Sequence, residues 1–213
     1  MNFKGLLGIA MAGSVALAAL VAVPASAQTG KPGAPGTPGA APPRATMALR
    51  FDAKSCTAGD REAVTEAFVM ARERVTVGLR HVRETPDSPN VRMWFGTASR
   101  KQIENVLAAV DRRLAAPESF TVSCNDNLCR QGPMAYTVPH ESRMGFCTGF
   151  FRARLTGEDS RSGTVIHELT HLAARTQDHM YGRTRTRSLS TKQPDMAANN
   201  ADNYEYFIET LFD

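Results

Sequence analysis

Two histidines four residues apart give this sequence its clearest chemical potential. They belong to the motif His167-Glu168-Leu169-Thr170-His171, in an apolar stretch whose periodicity predicts a helix. Each helical residue advances by about 100°, so His167 and His171 lie one turn apart on nearly the same face and can bind one metal ion. The Glu168 carboxylate lies where it can take a proton from water without binding the metal. The pattern indicates a zinc site for hydrolysis; the alternative is an ordinary helix with two surface histidines.

A catalytic zinc site needs a third protein ligand and an open fourth position. No Glu follows the motif at a spacing of about 20 residues, and no His-x-x-Gly-x-x-His continuation is present. The predicted helix ends near Arg175, and the next segment contains Asp178 and His179. Spacing alone leaves both residues as candidate third ligands.

The elements that must position these residues follow from the pattern of apolar side chains. Apolar residues recur at helical spacing over 64–82, 103–114 and 160–174, and again from Asn200 to the end. Short apolar runs bounded by Gly, Pro, Asn and Asp predict strands at 120–124, 134–138 and 145–151. This order predicts an α+β fold, mostly helical, with a small antiparallel or mixed sheet next to the helix that carries His167 and His171. We expect run 145–151 to be core or a sheet edge, and an edge would bind an extended peptide by strand addition.

Two other segments are interpreted as connections. Residues 86–96, which include two prolines, separate the first two helices. Arg183, Arg185 and Arg187 alternate with Gly and Thr, which favours a solvated loop. The formal net charge is only +4, so we do not expect nucleic-acid binding.

The N-terminal part of the chain predicts export. Residues 1–27 contain one charged residue, Lys4, an apolar run and a small-residue ending, which is typical of a cleaved signal peptide rather than a membrane anchor. Residues 28–45 are rich in Gly and Pro and predict a flexible linker, and 46–213 form one domain. The four cysteines fit an oxidising compartment, secreted or periplasmic, where they would form two disulfides in one of three pairings.

The residues around the motif resemble the aspzincin metallopeptidases, the deuterolysin and peptidyl-Lys metalloendopeptidase family, and most closely its peptidyl-Lys branch. The resemblance spans nearly all of the predicted domain. It is carried by Trp94-Phe95-Gly96, by Ser162-Gly163-Thr164 before the metal motif, by Thr176 to Gly182 after it, and by residues 200–207. In that family the third zinc ligand is an Asp in a Gly-Thr-x-Asp-x-x-Tyr-Gly segment. Here Arg175 replaces the first Gly, and the stretch from His171 to Asp178 is about two residues shorter.

The resemblance implies roles for several residues. Asp178 would be the third ligand of one Zn²⁺ ion, and Tyr181 would donate to the oxyanion. Asp202 and Glu205 would line an acidic pocket for a Lys just after the scissile bond. The implied disulfides join Cys56 to Cys124 and Cys129 to Cys147.

These observations together predict a secreted zinc endopeptidase in which Glu168 is the general base. Its partners would be protein or peptide substrates. We expect neither nucleic acid nor, after removal of the signal peptide, a membrane as a partner, and we expect a monomer. Two alternatives stay open: a zinc endopeptidase of broad or other specificity, and a non-catalytic exported zinc-binding module.

Overall fold

The computed structural model of the chain describes residues 47–213, which fold as helices around a small sheet. The strands are β1 (Arg50–Phe51), β2 (Thr121–Cys124), β3 (Ala135–Val138) and β4 (Arg143–Phe146). The helices are α1 (Ala58–Glu84), α2 (Pro89–Phe95), α3 (Arg100–Ala115), α4 (Thr148–Arg152), α5 (Arg161–Ala174), α6 (Arg183–Lys192), α7 (Pro194–Ala197) and α8 (Ala201–Glu209). The predicted α+β class is confirmed. The predicted signal peptide (1–27) and linker (28–45) lie outside the described residues.

The major helices begin at side chains that satisfy their free N–H groups. Thr57 starts α1 with a capping box, in which its side chain accepts from the Asp60 N–H while the Asp60 carboxylate accepts from the Thr57 N–H. Ser99 caps α3, and Ser160 caps α5 by accepting from the Gly163 N–H. The predicted helices over 64–82, 103–114 and 160–174 are therefore present.

The sheet is mixed, with strand order β1-β2-β4-β3. The first two pairings are parallel, and β3 runs antiparallel to β4. The interpretation of run 145–151 as a sheet edge or a single strand is wrong, because β4 lies between β2 and β3 and residues Thr148–Arg152 form α4. Phe146 and Phe150 are fully buried, so this run belongs to the core. Among the described strands that approach the metal motif, β3 forms the edge.

Two segments interpreted as connections are helical. Ser88 accepts from the Val91 N–H, and Pro89 occupies the first turn, so the Ser-Pro pair starts α2 rather than interrupting structure. The Arg183 cluster forms the first turns of α6 instead of a loop. That helix buries Leu189 beneath a polar surface, and a single large apolar side chain gives too weak a periodic signal to predict it.

Helix α5, which carries the histidines, lies at the centre of the domain. It packs against α1, α3, α8 and β3, and most of its side chains are buried. Disulfides Cys56–Cys124 and Cys129–Cys147 have the pairing that the resemblance implied. The first joins the start of α1 to the end of β2, and the second joins the segment after β2 to the end of β4. Within residues 47–213, the helices lack the combination of length and apolar character that crossing a bilayer requires.

Candidate metal centre

Three side-chain atoms converge on one point beside α5. The Nε2 atoms of His167 and His171 lie 3.2 Å apart, and Asp178 Oδ1 lies 3.1 Å from the first and 3.2 Å from the second. Ligands at zinc distances of about 2.0–2.1 Å in a tetrahedral site are separated by roughly 3.3 Å. Two imidazoles and a carboxylate also match the ligand types that zinc prefers. The residues present therefore fit a tetrahedral zinc ion with one open position.

The turn after α5 brings Asp178 to the histidines. Arg175 ends the helix with φ 57° and ψ 36°, the left-handed conformation that glycine adopts most easily. The Gln177 N–H then donates to Asn199, and the Gln177 carbonyl accepts from the Ala201 N–H, so the turn is fastened to the start of α8. Arg175 is larger than the family's Gly, and the segment from His171 to Asp178 is shorter. Asp178 Oδ1 nevertheless lies close enough to both His Nε2 atoms to bind the same ion. His179 points elsewhere and contacts the Asn199 amide.

His171 is oriented from its far side by the same turn. Its Nδ1 lies 2.8 Å from the Thr176 carbonyl oxygen, which can only accept, so Nδ1 carries the proton and Nε2 offers its lone pair. The buried Thr176 hydroxyl also contacts Thr170 on α5. A partner of this kind fixes both the tautomer and the ring orientation of a metal-binding histidine.

His167 is oriented from its far side by two carboxylates of α8. Its Nδ1 lies 2.8 Å from Asp202 Oδ1 and 3.3 Å from Glu205 Oε2. Both carboxylates are almost fully buried. His167, Asp202 and Glu205 also lie close enough to form a second group of potential metal donors. A carboxylate that accepts from Nδ1 while Nε2 faces a metal is a common arrangement, so we assign this group to the support of His167.

The electrostatics of the centre are dominated by these contacts. Burial lowers the pKa of both histidines, but hydrogen bonds to carboxylates outweigh it and raise both values, that of His167 well above its ordinary range. Burial raises the pKa of Asp178, yet its hydrogen bonds to the two imidazoles lower it far below the usual range. A dication that binds to these hydrogen-bonded side chains would displace the protons that they share.

Glu168 lies within the same centre but is not one of the three donors. It is 6% exposed, and its Oε2 lies 2.5 Å from the Thr137 hydroxyl on β3. Glu168 is thus held by the edge strand that passes beside α5. The motifs do not single out Thr137. The alternation of side chains along a strand, which places it on the same face as Ala135, is the available signal.

Tyr181 lies at the mouth of the centre. Its side chain is exposed, and its ring stacks on the His167 ring with centroids 6.3 Å apart. Partial burial and a hydrogen bond to Asp178 raise its pKa, so the phenol stays protonated and can donate. The next residue, Gly182, donates its N–H to Asp202 Oδ2 at 2.8 Å, which connects the segment to the carboxylate behind His167.

An open cleft of about 1170 Å³ joins these features. Edge strand β3 contributes to the lining, as do Asp159 and Tyr206 of α8, whose hydroxyl donates to the Asp159 carboxylate at 2.6 Å. The lining includes the three candidate ligands, the candidate base and the three residues to which the resemblance gives a role toward the substrate: His167, Glu168, His171, Asp178, Tyr181, Asp202 and Glu205.

A third carboxyl group of α8 lies behind the cleft and was not predicted. Glu209 follows Asp202 and Glu205 at helical spacing, and that spacing was the available signal. It accepts from the Ser160 N–H and hydroxyl and from the Asp159 N–H at the start of α5. Burial, together with the nearby Glu205, raises the pKa of Glu209 to about 8.

A buried His-Glu-x-x-His helix beside the edge strand of a small mixed sheet defines the zincin class of metallopeptidase folds. In this chain the third donor is a carboxylate from the turn after that helix. The sequence model of one family, aspzincin M35, described as lysine-specific metallo-endopeptidase, matches residues 81–209. The chain belongs to this family.

Individual relatives agree with this assignment. The chain is 31% identical over 159 residues to a peptidyl-Lys metalloendopeptidase of Grifola frondosa, covering 72% of the chain and 45% of that protein. It is 34% identical over 136 residues to an extracellular protease of Aeromonas hydrophila, covering 59% and 37%. The solved structure of a zinc peptidase from Grifola frondosa superposes with a TM-score of 0.67 at 28% identity, covering 73% of the chain and 98% of that structure. The chain spans less than half the length of the first two relatives.

Proposed function

We propose that this protein is a secreted zinc-dependent endopeptidase that favours Lys just after the scissile bond. The observation that carries the proposal is the triangle of Nε2, Nε2 and Oδ1 atoms from His167, His171 and Asp178, with sides of 3.1–3.2 Å, opening onto a cleft that also holds Glu168. A structural zinc site has four closed protein ligands and needs neither a base nor an open cleft. The open geometry therefore favours catalysis.

The chemistry divides between the bound ion and the chain. Zinc, when bound, polarises the substrate carbonyl and makes water acidic enough to attack near neutral pH. Glu168 accepts the proton of the attacking water and passes it to the leaving amine. Tyr181 donates to the carbonyl oxygen as negative charge develops there, a contact that counts most in the transition state.

The substrate backbone would bind along β3. The free edge of this strand lines the cleft beside α5, and an extended peptide can add to such an edge by main-chain hydrogen bonds. This interaction is independent of side-chain identity. It accounts for endopeptidase activity on many sequences, while a side-chain pocket must supply any preference.

The carboxylates of α8 support a preference for Lys. Asp202 and Glu205 line the cleft and are buried, so an ammonium group entering between them would form charge-assisted hydrogen bonds away from water. Both also approach His167 Nδ1, which offers a single proton. Asp202 makes the shorter contact and also binds Gly182, so Glu205 is the carboxylate that is freer to receive the substrate.

The proposal also includes secretion and a monomeric state. The composition of residues 1–27 is typical of a signal peptide, and one relative is named an extracellular protease. Two disulfides in the described domain fit an oxidising compartment.

Mapping of new N-termini tests this function. The purified protein is incubated with a denatured protein mixture, with zinc or with excess chelator, and the new termini are sequenced by mass spectrometry. We expect chelator-sensitive termini that begin mostly with Lys. The Glu168→Gln variant is the matched control and should give these termini about 10²- to 10⁴-fold more slowly.

The other outcomes separate the alternatives. Chelator-sensitive termini without a Lys preference would identify an endopeptidase of broad or other specificity, and termini that begin equally with Arg would show that the pocket selects charge rather than length. Zinc binding without any cleavage would identify a non-catalytic module and overturn the proposal.

A further inference from the structure

We propose that Thr137 is a positioning residue that sets the orientation of the general base. The inference rests on the proposed function, because it assigns Thr137 a role in the work of Glu168. The central observation is the contact of 2.5 Å between the Thr137 hydroxyl and Glu168 Oε2, made from strand to helix across 31 residues of sequence.

The sheet register fixes where the Thr137 side chain points. Thr137 pairs with Met144 of β4, and Met144 is fully buried. Paired residues of adjacent strands project to the same face of a sheet, so the Thr137 side chain lies on the inner face, toward α5. Its neighbour Tyr136 projects to the other face and reaches Asp126. The alternation of side chains along β3 therefore points the Thr137 hydroxyl toward α5.

The hydroxyl proton is directed to the Glu168 carboxylate. Thr137 Oγ1 also lies 3.2 Å from the Glu168 carbonyl oxygen, which is already an acceptor within the helix. A hydroxyl has one proton, and the carboxylate is both closer and charged, so it is the stronger acceptor. With Oε2 held, the side chain cannot rotate freely and Oε1 is left to take the proton from water.

Placing this contact on β3 also connects the base to the substrate. A peptide bound along the free edge of β3 would take its register from the same strand that holds Glu168. The scissile carbonyl and the base are then positioned by one element. Small errors in these positions lower the reaction rate strongly, because proton transfer needs close approach.

Two substitutions test the role. Thr137→Val keeps the shape and removes the hydroxyl, and Thr137→Ser keeps the hydroxyl and removes a methyl group. For Thr137→Val we expect kcat to fall by about 10- to 100-fold, the scale of a lost hydrogen bond to a charged group, with KM for a Lys-containing peptide and the zinc dissociation constant within about twofold of wild type. Thr137→Ser should recover kcat to within about threefold of wild type.

A double substitution identifies the residue through which Thr137 acts. In a Glu168→Gln background, Thr137→Val should cause no further loss of the residual rate, because the base it would position is gone. Thermal melting of each variant establishes that it is folded, and the zinc dissociation constant reports the metal centre without any turnover.

The remaining outcomes overturn the proposal. Wild-type kcat in Thr137→Val, a failure of Thr137→Ser to recover it, or equal losses in the presence and absence of Glu168 would each show that Thr137 only fills space. A wild-type protein that binds zinc but does not cleave would instead overturn the proposed function, and this inference with it.

Discussion

His167 uses both of its ring nitrogens. Nε2 faces Asp178 and His171, while Nδ1 faces Asp202 and Glu205 at 2.8 and 3.3 Å. The imidazole therefore connects the metal position to the acidic side of the cleft. Removal of the Asp202 carboxylate should weaken zinc binding, whereas removal of the Glu205 carboxylate should alter the substrate pocket.

We predict different consequences for two conservative substitutions on α8. Asp202→Asn should weaken zinc binding by about 10- to 100-fold, because a partner that orients a metal-binding histidine has an effect of this size. Glu205→Gln should leave zinc affinity within about threefold of wild type and lower kcat/KM mainly for Lys peptides, since a charge-assisted hydrogen bond to the ammonium group is lost. Competition with a fluorescent chelator and peptide kinetics measure the two effects. Equal effects of both variants on zinc would contradict the division of roles.

The residues of the centre differ in how far the sequence predicts them. His167, Glu168 and His171 follow from spacing on one helix. Spacing cannot choose between Asp178 and His179, because the choice depends on the path of the turn, and the resemblance was needed to favour Asp178. Thr137 lies on another element, so only tertiary structure reveals its contact.

At the scale of elements, α5 and α8 approach closely where Gly163 leaves room. A side chain at Gly163 would overlap Glu209 Oε1 and lie 2.8 Å from Glu205 Oε1. Helix propensity alone favours Ala over Gly inside a helix by about 0.5–1 kcal/mol. The packing of the two carboxyl groups reverses this preference, because Glu209 is held by three hydrogen bonds at the start of α5.

We therefore predict that Gly163→Ala destabilises the protein by about 1–3 kcal/mol, the usual cost of overpacking. Gly59 in the first turn of α1 provides the matched control, because no atom lies within 4 Å of a side chain added there. Gly59→Ala should be neutral or stabilising. Urea unfolding measures both free energies, and a Gly163→Ala variant as stable as Gly59→Ala would show that the carboxyl groups can move aside.

Glu209 also predicts how stability depends on pH. Its pKa is raised to about 8 in the folded protein, above its ordinary value of about 4.3 when unfolded. Between these values the folded state binds the extra proton, so rising pH removes stability from about pH 4.3 until the pH passes about 8. Glu209→Gln has no titratable group at this position. Between pH 5 and pH 9, the unfolding free energy should therefore decrease less in this variant than in wild type, with a difference of at least about 1 kcal/mol. Parallel pH dependences in urea unfolding would contradict the assignment.

The elements themselves were predictable where the apolar pattern is long. Helices α1, α3 and α5 carry extended periodic runs behind clear caps. Helix α6 has one large buried apolar residue, and β1 spans two residues, so neither has a periodic signal. Run 145–151 looks continuous in sequence because most of β4 and Phe150 of α4 are buried in the core.

At the scale of the whole molecule, two disulfides close loops of different length around the sheet. Cys56–Cys124 spans 68 residues and Cys129–Cys147 spans 18. The longer loop restricts the unfolded chain more strongly, by about 4 kcal/mol against about 3 kcal/mol. Replacement of both cysteines by Ser should thus cost more for the first pair than for the second in urea unfolding. The reverse order would show that local packing, rather than chain entropy, dominates.

The central claim is that one zinc ion held by His167, His171 and Asp178 serves a reaction in which Glu168 moves the proton. The most direct test adds zinc to metal-free wild type and to metal-free Glu168→Gln, and measures bound zinc and cleavage of a Lys-containing peptide in the same samples. We predict that both proteins bind one zinc ion with similar affinity, that wild type gains activity in step with occupancy, and that the variant stays about 10²- to 10⁴-fold slower. Cleavage that persists in excess chelator, or a zinc-loaded Glu168→Gln variant as fast as wild type, would contradict the claim.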